Sequence, residues 1–158
     1  KRGFKVNIDL KINGKDKTLD VEPGEVLLDV LRRNGYKSVK RGCETGDCGA
    51  CMVLVDGRAM TSCTLFAAQA HGREVKTVEG IKDDLSERLK ENFLEVGAVQ
   101  CGFCIPGVLI SAYSLLNSNP NPSEEEVKAA LDGNLCRCTG YVKQIEAIKE
   151  TANQMEDN

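Results

Sequence analysis

The sequence predicts an α+β protein in which a small mixed sheet is followed by a helical half. Two observations carry this prediction. Apolar and polar residues alternate along the first part of the chain, as in half-buried strands. After Glu79-Gly80, apolar residues recur every three or four positions, as in amphipathic helices. The change of period predicts two domains in the 158-residue chain, at 1–79 and 80–158.

The first half contains two turn signals between alternating apolar residues. Asn13-Gly14 and Asp56-Gly57 are both strong short-range signals for a β-hairpin. Between them, a leucine-rich run that ends at Gly35 predicts a short helix. The predicted elements are FKVNIDLKI (4–12), a return strand through Leu19 and Val21, EVLLDVLRRNG (25–35), MVLVDGRAM (52–60) and EVKTV (74–78). A small mixed sheet crossed by one helix is a β-grasp-like arrangement.

The second half predicts four helices, which suggests a small bundle. Ser123 and Glu126 form the pattern of a capping box and mark the start of one of these helices. The apolar stripes run through Leu85, Leu89, Phe93 and Val96; Val108, Ala112 and Leu115; Val127, Ala130 and Leu131; and Ile145, Ile148, Ala152 and Met155.

Composition and charge argue against several classes of function. The net charge of -3 and the pI of about 5.3 do not suit a nucleic-acid groove, which needs a basic face. The longest apolar-rich run, at 105–116, is shorter than the roughly 18–20 residues of a membrane helix. Without a signal-peptide segment, a cytoplasmic location is expected. No nucleotide-binding motif is present, and His71 is expected to be a solvated loop residue.

Eight cysteines are the outlying feature of the composition. They form two sets of four, one in each half of the chain. Disulfides are disfavoured because the cysteines are crowded and no secretory signal is present, whereas disulfides usually close longer loops in oxidising compartments. The first set is Cys43, Cys48, Cys51 and Cys63, and the second set is Cys101, Cys104, Cys136 and Cys138.

The spacing is specific in the first set and ambiguous in the second. C-x4-C-x2-C followed by a later Cys is the plant-type ferredoxin spacing for a [2Fe–2S] cluster. A structural zinc ion usually takes two short cysteine pairs and is the less favoured alternative. Gly42, Gly46 and Gly49 are expected to remove Cβ atoms where the loop would collide with the cluster. In the second set, C-x2-C and C-x-C suit zinc or iron–sulfur, and the neighbouring redox centre favours the latter.

Four blocks of sequence carry a resemblance to a known family. They are VKRGCETGDCGACMVLVDG (39–57), TSCTLFAAQAHG (61–72), VQCGFCIPG (99–107) and GNLCRCTGY (133–141). In this order they resemble the iron–sulfur subunit of the molybdenum hydroxylases, the xanthine dehydrogenase family. The resemblance implies a plant-type ferredoxin-like domain followed by a four-helix [2Fe–2S]-binding domain. It also implies that the second cysteine set holds a second [2Fe–2S] cluster.

The resemblance further implies partners and a role. The chain would relay electrons from a large molybdopterin-binding subunit, through two [2Fe–2S] clusters, to a separate FAD-binding subunit. Positions matching Gln100 and Cys138 approach the pterin in the family, and no catalytic residue is expected on this chain. The substrate of the complex would be a purine such as xanthine, another N-heterocycle or an aldehyde. The alternatives are a free-standing ferredoxin-like carrier and a zinc-bound structural module.

Side chains beside the cysteines have more than one possible role at this point. Phe103, Leu135 and Tyr141 would either exclude water from the second cluster or belong to the ordinary core. Lys40 and Arg41 precede the first cysteine. They would balance the charge of a reduced cluster, attract a partner, or simply be solvated.

Overall fold

The computed structural model describes residues 4–156 and has the predicted α+β architecture. Residues 1–3 and 157–158, the outer ends of the two predicted domains, lie outside the described residues. Within the described part of the chain, no helix is long and apolar enough to cross a membrane. The elements are β1 (Val6–Ile12), β2 (Lys15–Val21), α1 (Leu27–Arg33), β3 (Met52–Val55), β4 (Arg58–Thr61), β5 (Glu74–Lys76), α2 (Asp84–Glu95), α3 (Ile105–Ser118), α4 (Glu124–Leu131) and α5 (Val142–Glu156).

The five strands form one mixed sheet in the order β2-β1-β5-β3-β4. β1 pairs antiparallel with β2 and parallel with β5, and β3 pairs antiparallel with β4 and β5. Both predicted hairpins are confirmed, and all four turn residues have positive φ, as two-residue hairpin turns of this type require. The buried face of β1 carries Ile8, Leu10 and Ile12.

Two details of the sheet differ from the sequence prediction. The alternation predicts Phe4 and Val6 on the same face as Ile8, but they are 77% and 38% exposed, and Phe4 precedes the first paired residue of β1. β5 ends at Lys76 rather than at Val78. There the side chain of Asn13 hydrogen-bonds the backbone N–H and the hydroxyl of Thr77, at 2.8 and 3.0 Å, and a 3-10 turn begins.

Helix α1 covers the sheet as predicted. Leu27, Leu28 and Leu31 are buried in one cluster with residues of β1 and β3. Gly35, with a φ of +94°, follows the end of the helix. The helix therefore closes the core of the first half and leads into the cysteine loop.

All four helices predicted in the second half are present. α2 begins at Asp83, whose carboxylate accepts a hydrogen bond of 2.9 Å from the Ser86 N–H. α4 begins with the predicted capping box, in which Ser123 and Glu126 bond each other's backbone N–H groups. Leu89, Phe93, Val108 and other apolar residues of the predicted stripes form the core, although Met155 at the end of α5 is 37% exposed.

The helical half packs directly on the sheet. Ile110 of α3 lies in a buried cluster with Leu54 of β3 and Ile81 of the connecting segment. The Ala59 N–H of β4 donates a 3.3 Å hydrogen bond to the Ser114 hydroxyl of α3. Gly107, in the first turn of α3, lies against Gly49, so the start of α3 and the cysteines beside it are next to the loop that precedes β3.

Candidate iron–sulfur centres

The first cysteine set begins in the irregular loop between α1 and β3. The Cys43 N–H donates to the Cys48 sulfur at 3.3 Å, and the Cys48 N–H donates to the Cys43 sulfur at 3.4 Å. The Thr45 N–H also donates to the Cys43 sulfur at 3.4 Å. Hydrogen bonds from Thr45, and then from Cys48, lower the pKa of the Cys43 thiol to about 6. The loop therefore stabilises a thiolate before any metal binds.

The β3–β4 hairpin brings the other two cysteines of this set together. Cys51 precedes β3, Cys63 follows β4, and both are buried. Burial raises the pKa of the Cys63 thiol to about 11, and contact with the Cys51 thiol adds to the rise. The eleven-residue gap in the sequence motif is therefore a hairpin whose two ends present neighbouring sulfurs.

The three glycines of the loop have different roles, and two differ from the expectation: a Cβ on Gly46 would lie 3.2 Å from Cγ2 of Thr64 rather than near a sulfur. A Cβ on Gly42 would lie 2.5 Å from the Cys48 sulfur, so this glycine makes room at the thiols as predicted. A Cβ on Gly49 would instead lie 2.3 Å from the carbonyl oxygen of Gly133 and 2.6 Å from Oδ1 of Asn134. Gly49 is required by the contact with the helical half, which a local motif does not show.

The second cysteine set joins two chain segments of the helical half. Cys104 caps the N-terminus of α3, and Cys101 lies in the turn before it. Cys136 and Cys138 lie in the loop between α4 and α5. The Cys101 thiol neighbours Cys138, and the Cys104 thiol neighbours Cys136. The pairs differ in environment, because Cys104 is buried whereas Cys101 and Cys138 are exposed.

Burial and hydrogen bonds together set the ionisation of the inner pair, Cys104 and Cys136. Burial, and then contact with Cys136, raises the pKa of the Cys104 thiol to about 11. Burial acts in the same direction on Cys136, but hydrogen bonds from Thr139 outweigh it and lower the pKa of that thiol to about 7. The Thr139 hydroxyl lies 3.1 Å from the Cys136 sulfur. The phenol oxygen of Tyr141 accepts a 2.8 Å hydrogen bond from the Cys136 N–H, which fixes the loop.

One polar side chain at this site escaped the sequence reasoning. Nε2 of Gln144 in α5 lies 3.6 Å from the Cys104 sulfur, and the side chain is fully buried. A signal was available, because Gln144 shares a helical face with Ala147, Ile148 and Thr151 at spacings of three, four and seven residues. A long polar residue on a buried stripe indicates a specific polar partner.

The two cysteine sets lie directly against each other. The Leu135 N–H, one residue before Cys136, donates a 2.9 Å hydrogen bond to the Cys48 carbonyl oxygen. The Lys40 ammonium group lies 3.2 Å from the Gly102 carbonyl oxygen and 5.1 Å from the centroid of the Phe103 ring. Lys40 is thus not simply solvated, because it links the loops of the two sites.

Arg41 is paired with two carboxylates. Its guanidinium group forms ion pairs with Asp29 and Glu44, which together with the adjacent hydrogen bonds raise its pKa, with Asp29 the larger contributor. His71 is exposed, as predicted, and its Nδ1 accepts a 3.0 Å hydrogen bond from the Asp9 N–H.

Apolar side chains surround the exposed edge of the second site. Phe103 is 48% exposed, Leu135 is 59% exposed and Val142 is 72% exposed. In this chain alone, Phe103 and Leu135 are therefore neither core residues nor a barrier to water. Gln100 and Cys138 are exposed in the same region. The second site thus opens at a partly apolar surface.

The donor set in each half suits a [2Fe–2S] cluster. The thiols of each set form two neighbouring pairs, and the four cysteine ligands of a [2Fe–2S] cluster are shared between two irons. Backbone N–H groups that point at the Cys43 sulfur suit an anionic cluster.

The fold and the paired thiols define a protein of two consecutive iron–sulfur domains, and comparison with known proteins agrees. Residues 10–76 match the family model of the 2Fe-2S iron-sulfur cluster binding domain, and residues 77–149 match that of the [2Fe-2S] binding domain. The chain belongs to the iron–sulfur small subunits of the molybdenum hydroxylases, the xanthine dehydrogenase family, and is thus of a type that serves in oxidoreductase complexes.

Three similar proteins illustrate the relationship. The nicotinate dehydrogenase small FeS subunit of Eubacterium barkeri is 46% identical over 92% of this chain and 94% of its own length. The nicotine 6-hydroxylase small subunit of Paenarthrobacter nicotinovorans is 47% identical over 96% of this chain and 92% of its own length. The crystal structure of quinoline 2-oxidoreductase from Pseudomonas putida 86 contains a chain that matches with a TM-score of 0.89 and 42% identity, over 98% of both chains.

Proposed function

We propose that this chain relays electrons from a large molybdopterin-binding subunit to an FAD-binding subunit. The observation that carries the proposal is the 2.9 Å hydrogen bond from the Leu135 N–H to the Cys48 carbonyl oxygen, which connects the two cysteine sites. When bound, [2Fe–2S] clusters supply one-electron oxidation and reduction. Two such sites in contact within one chain suit a relay, because an electron that enters at one site has a neighbouring site to leave from.

The proposed ligands are the eight cysteines, arranged in four pairs. Hydrogen bonds and thiol contacts support the pairing of Cys43 with Cys48, Cys51 with Cys63, Cys101 with Cys138, and Cys104 with Cys136. Each pair would bind one iron. The proposed domains at 1–79 and 80–158 then hold one cluster each.

The second site is proposed to face the molybdopterin subunit. Its outer thiols, Cys101 and Cys138, are exposed, and so is the neighbouring Gln100. Gln100 and Cys138 are therefore accessible to a pterin held by the partner. The exposed side chains of Leu135 and Val142 continue into a groove between α4 and α5. Apolar surface of this kind suits an obligate subunit interface.

The first site is proposed to face the FAD-binding subunit. Phe66, three residues after Cys63, is 51% exposed and offers a contact on this side of the chain. The expected cytoplasmic location remains a prediction.

An N-heteroaromatic compound is the proposed substrate class of the complex. The similar proteins described above are named for nicotinate, nicotine and quinoline, which are all nitrogen heterocycles. This narrows the sequence-based expectation, in which xanthine, other heterocycles and aldehydes were all included. The substrate itself would bind on the partner subunit.

Purification of the native protein tests the relay. We expect co-purification with two larger chains, and about four iron atoms and four acid-labile sulfides per copy of this chain. Recovery only as a lone small chain would favour the free-standing carrier, and stoichiometric zinc would favour the structural module. Turnover of nicotinate, xanthine and benzaldehyde by the purified complex then tests the substrate class, and activity on the aldehyde alone would contradict the proposal.

Reciprocal substitutions test the ligand assignment. Cys48→Ser is expected to remove the first-site EPR signal and about half of the iron, and Cys136→Ser to do the same for the second site. Each variant is the control for the other, because the untouched site should keep its signal. Retention of both signals in either variant would refute the assignment.

A further inference from the structure

Gln144 occupies an environment that normally holds an apolar residue. It lies in the first turns of α5, its relative exposure is 0%, and its helical neighbours Ala147 and Ile148 are core residues. Its Oε1 atom is buried without a hydrogen-bond partner among the described residues. Such a group destabilises the folded state, a cost that a leucine or methionine at this position would avoid.

The other end of the same amide has a partner of functional interest. Nε2 of Gln144 lies 3.6 Å from the Cys104 sulfur. Cys104 is itself buried, so water does not compete effectively for this sulfur. In such surroundings a fixed dipole acts more strongly on a nearby charge than it does in water. The amide is oriented with its positive end toward the thiol.

We propose that Gln144 is a positioning residue that donates a hydrogen bond to the Cys104 thiolate and thereby raises the reduction potential of the second-site cluster. The inference rests on the proposed function, in which Cys104 is a ligand. Reduction adds one electron and therefore one negative charge, which a donor at a ligand sulfur stabilises. Hydrogen bonds to cluster sulfurs are a recognised determinant of iron–sulfur potentials.

Two variants of the holoprotein test this role. Gln144→Met fills a similar volume without a donor, and Gln144→Asn keeps an amide that is one methylene too short to reach the sulfur. EPR-monitored redox titration gives the midpoint potential of each site separately. We expect both variants to lower the reduction potential of the second-site cluster. At a fixed solution potential, the ratio of reduced to oxidised cluster should fall about tenfold, which corresponds to ~59 mV for a one-electron couple. The first-site potential should not change.

Thr151→Val is the matched control. Thr151 lies two turns further along α5, is also fully buried, and bonds Asn92 and the Ala147 carbonyl oxygen rather than a thiol. Loss of the Thr151 hydroxyl group should leave the reduction potentials of both sites unchanged. An unchanged second-site potential in both Gln144 variants would overturn the inference, as would an equal shift in Thr151→Val.

Metal analysis separates failure of this inference from failure of the proposed function. If the wild-type protein contains about four irons and shows both EPR signals, but the Gln144 variants titrate like wild type, only the role of Gln144 is wrong. If the wild-type protein has no second-site signal, the ligand assignment itself fails.

Discussion

Substitution of Gly49 tests whether the contact between the two cysteine sites stabilises the protein. The residue has a φ of +68°, and a Cβ atom there would lie 2.3 Å from the Gly133 carbonyl oxygen. That oxygen belongs to the backbone and cannot rotate away as a flexible side chain would. Gly49→Ala therefore combines an unfavourable backbone conformation with a steric clash between the two halves.

The two contributions can be separated with a matched variant. Gly57, in the β3–β4 turn, has a φ of +81° but nothing within 4 Å of its Cβ position. Gly57→Ala therefore costs only the left-handed conformation, about 1–2 kcal/mol. Gly49→Ala adds an overpacking cost of about 1–3 kcal/mol. Since 1 kcal/mol lowers the melting temperature by about 2–4 °C at this chain length, Gly49→Ala should melt roughly 2–12 °C below Gly57→Ala.

Thermal unfolding of the iron-loaded protein measures this difference, followed by both circular dichroism and visible absorption. Gly107→Ala gives an independent check, because its Cβ would lie 2.1 Å from the Gly49 carbonyl oxygen while its backbone φ is not in the left-handed region. It should show the steric cost, offset by the roughly 0.5–1 kcal/mol that alanine gains over glycine inside a helix. Equal melting temperatures for Gly49→Ala and Gly57→Ala would refute the reasoning that the two halves meet at this glycine.

Three further outcomes are expected. Ser123→Ala removes the capping box of α4 and should cost about 1 kcal/mol without changing iron content; an unchanged melting temperature would count against that role. Burial opposes ionisation of the Asp83 carboxyl group, but hydrogen bonds from Tyr113 and Ser86 outweigh it and lower its pKa. The ionised carboxylate therefore stabilises the fold fully at a pH above the pKa of the unfolded state, and this stabilisation is lost as the pH falls through the pKa of the folded state. The stability difference between wild type and Asp83→Asn should therefore shrink below about pH 4, and a constant difference would contradict this. Removal of iron with a chelator should lower the melting temperature, because metal-binding free energy is partly folding free energy; a chelated sample that melts with the holoprotein would exclude this.

Local signals in the sequence predicted most of the secondary structure. Asn13-Gly14 and Asp56-Gly57 fix their hairpins because only a few residue types accept the positive φ values of such turns. The capping box at Ser123 marks the start of α4 because its hydrogen bonds join residues only three apart. These features depend on neighbours in the chain and are therefore visible without a structure.

Features that depend on contacts between the halves could not be predicted in this way. The cysteine motif explains Gly42 but not Gly49, because the atoms that exclude a Cβ at Gly49 belong to residues more than 80 positions away. Likewise, Lys40 was not separable from a solvated lysine before its contact with Gly102 and Phe103 was known. Alternating and helical periods report which face of an element is buried, but not which element covers it.

The bridge between the two cysteine sites consists of backbone atoms on both sides, the Leu135 N–H and the Cys48 carbonyl oxygen. Any residue except proline supplies the same N–H group at position 135, so the bridge places almost no demand on side-chain identity. Substitutions around the two sites can therefore change either surface of this chain without removing the hydrogen bond that joins the sites. Replacement of Leu135 by proline is the single change at that position that would remove the link outright.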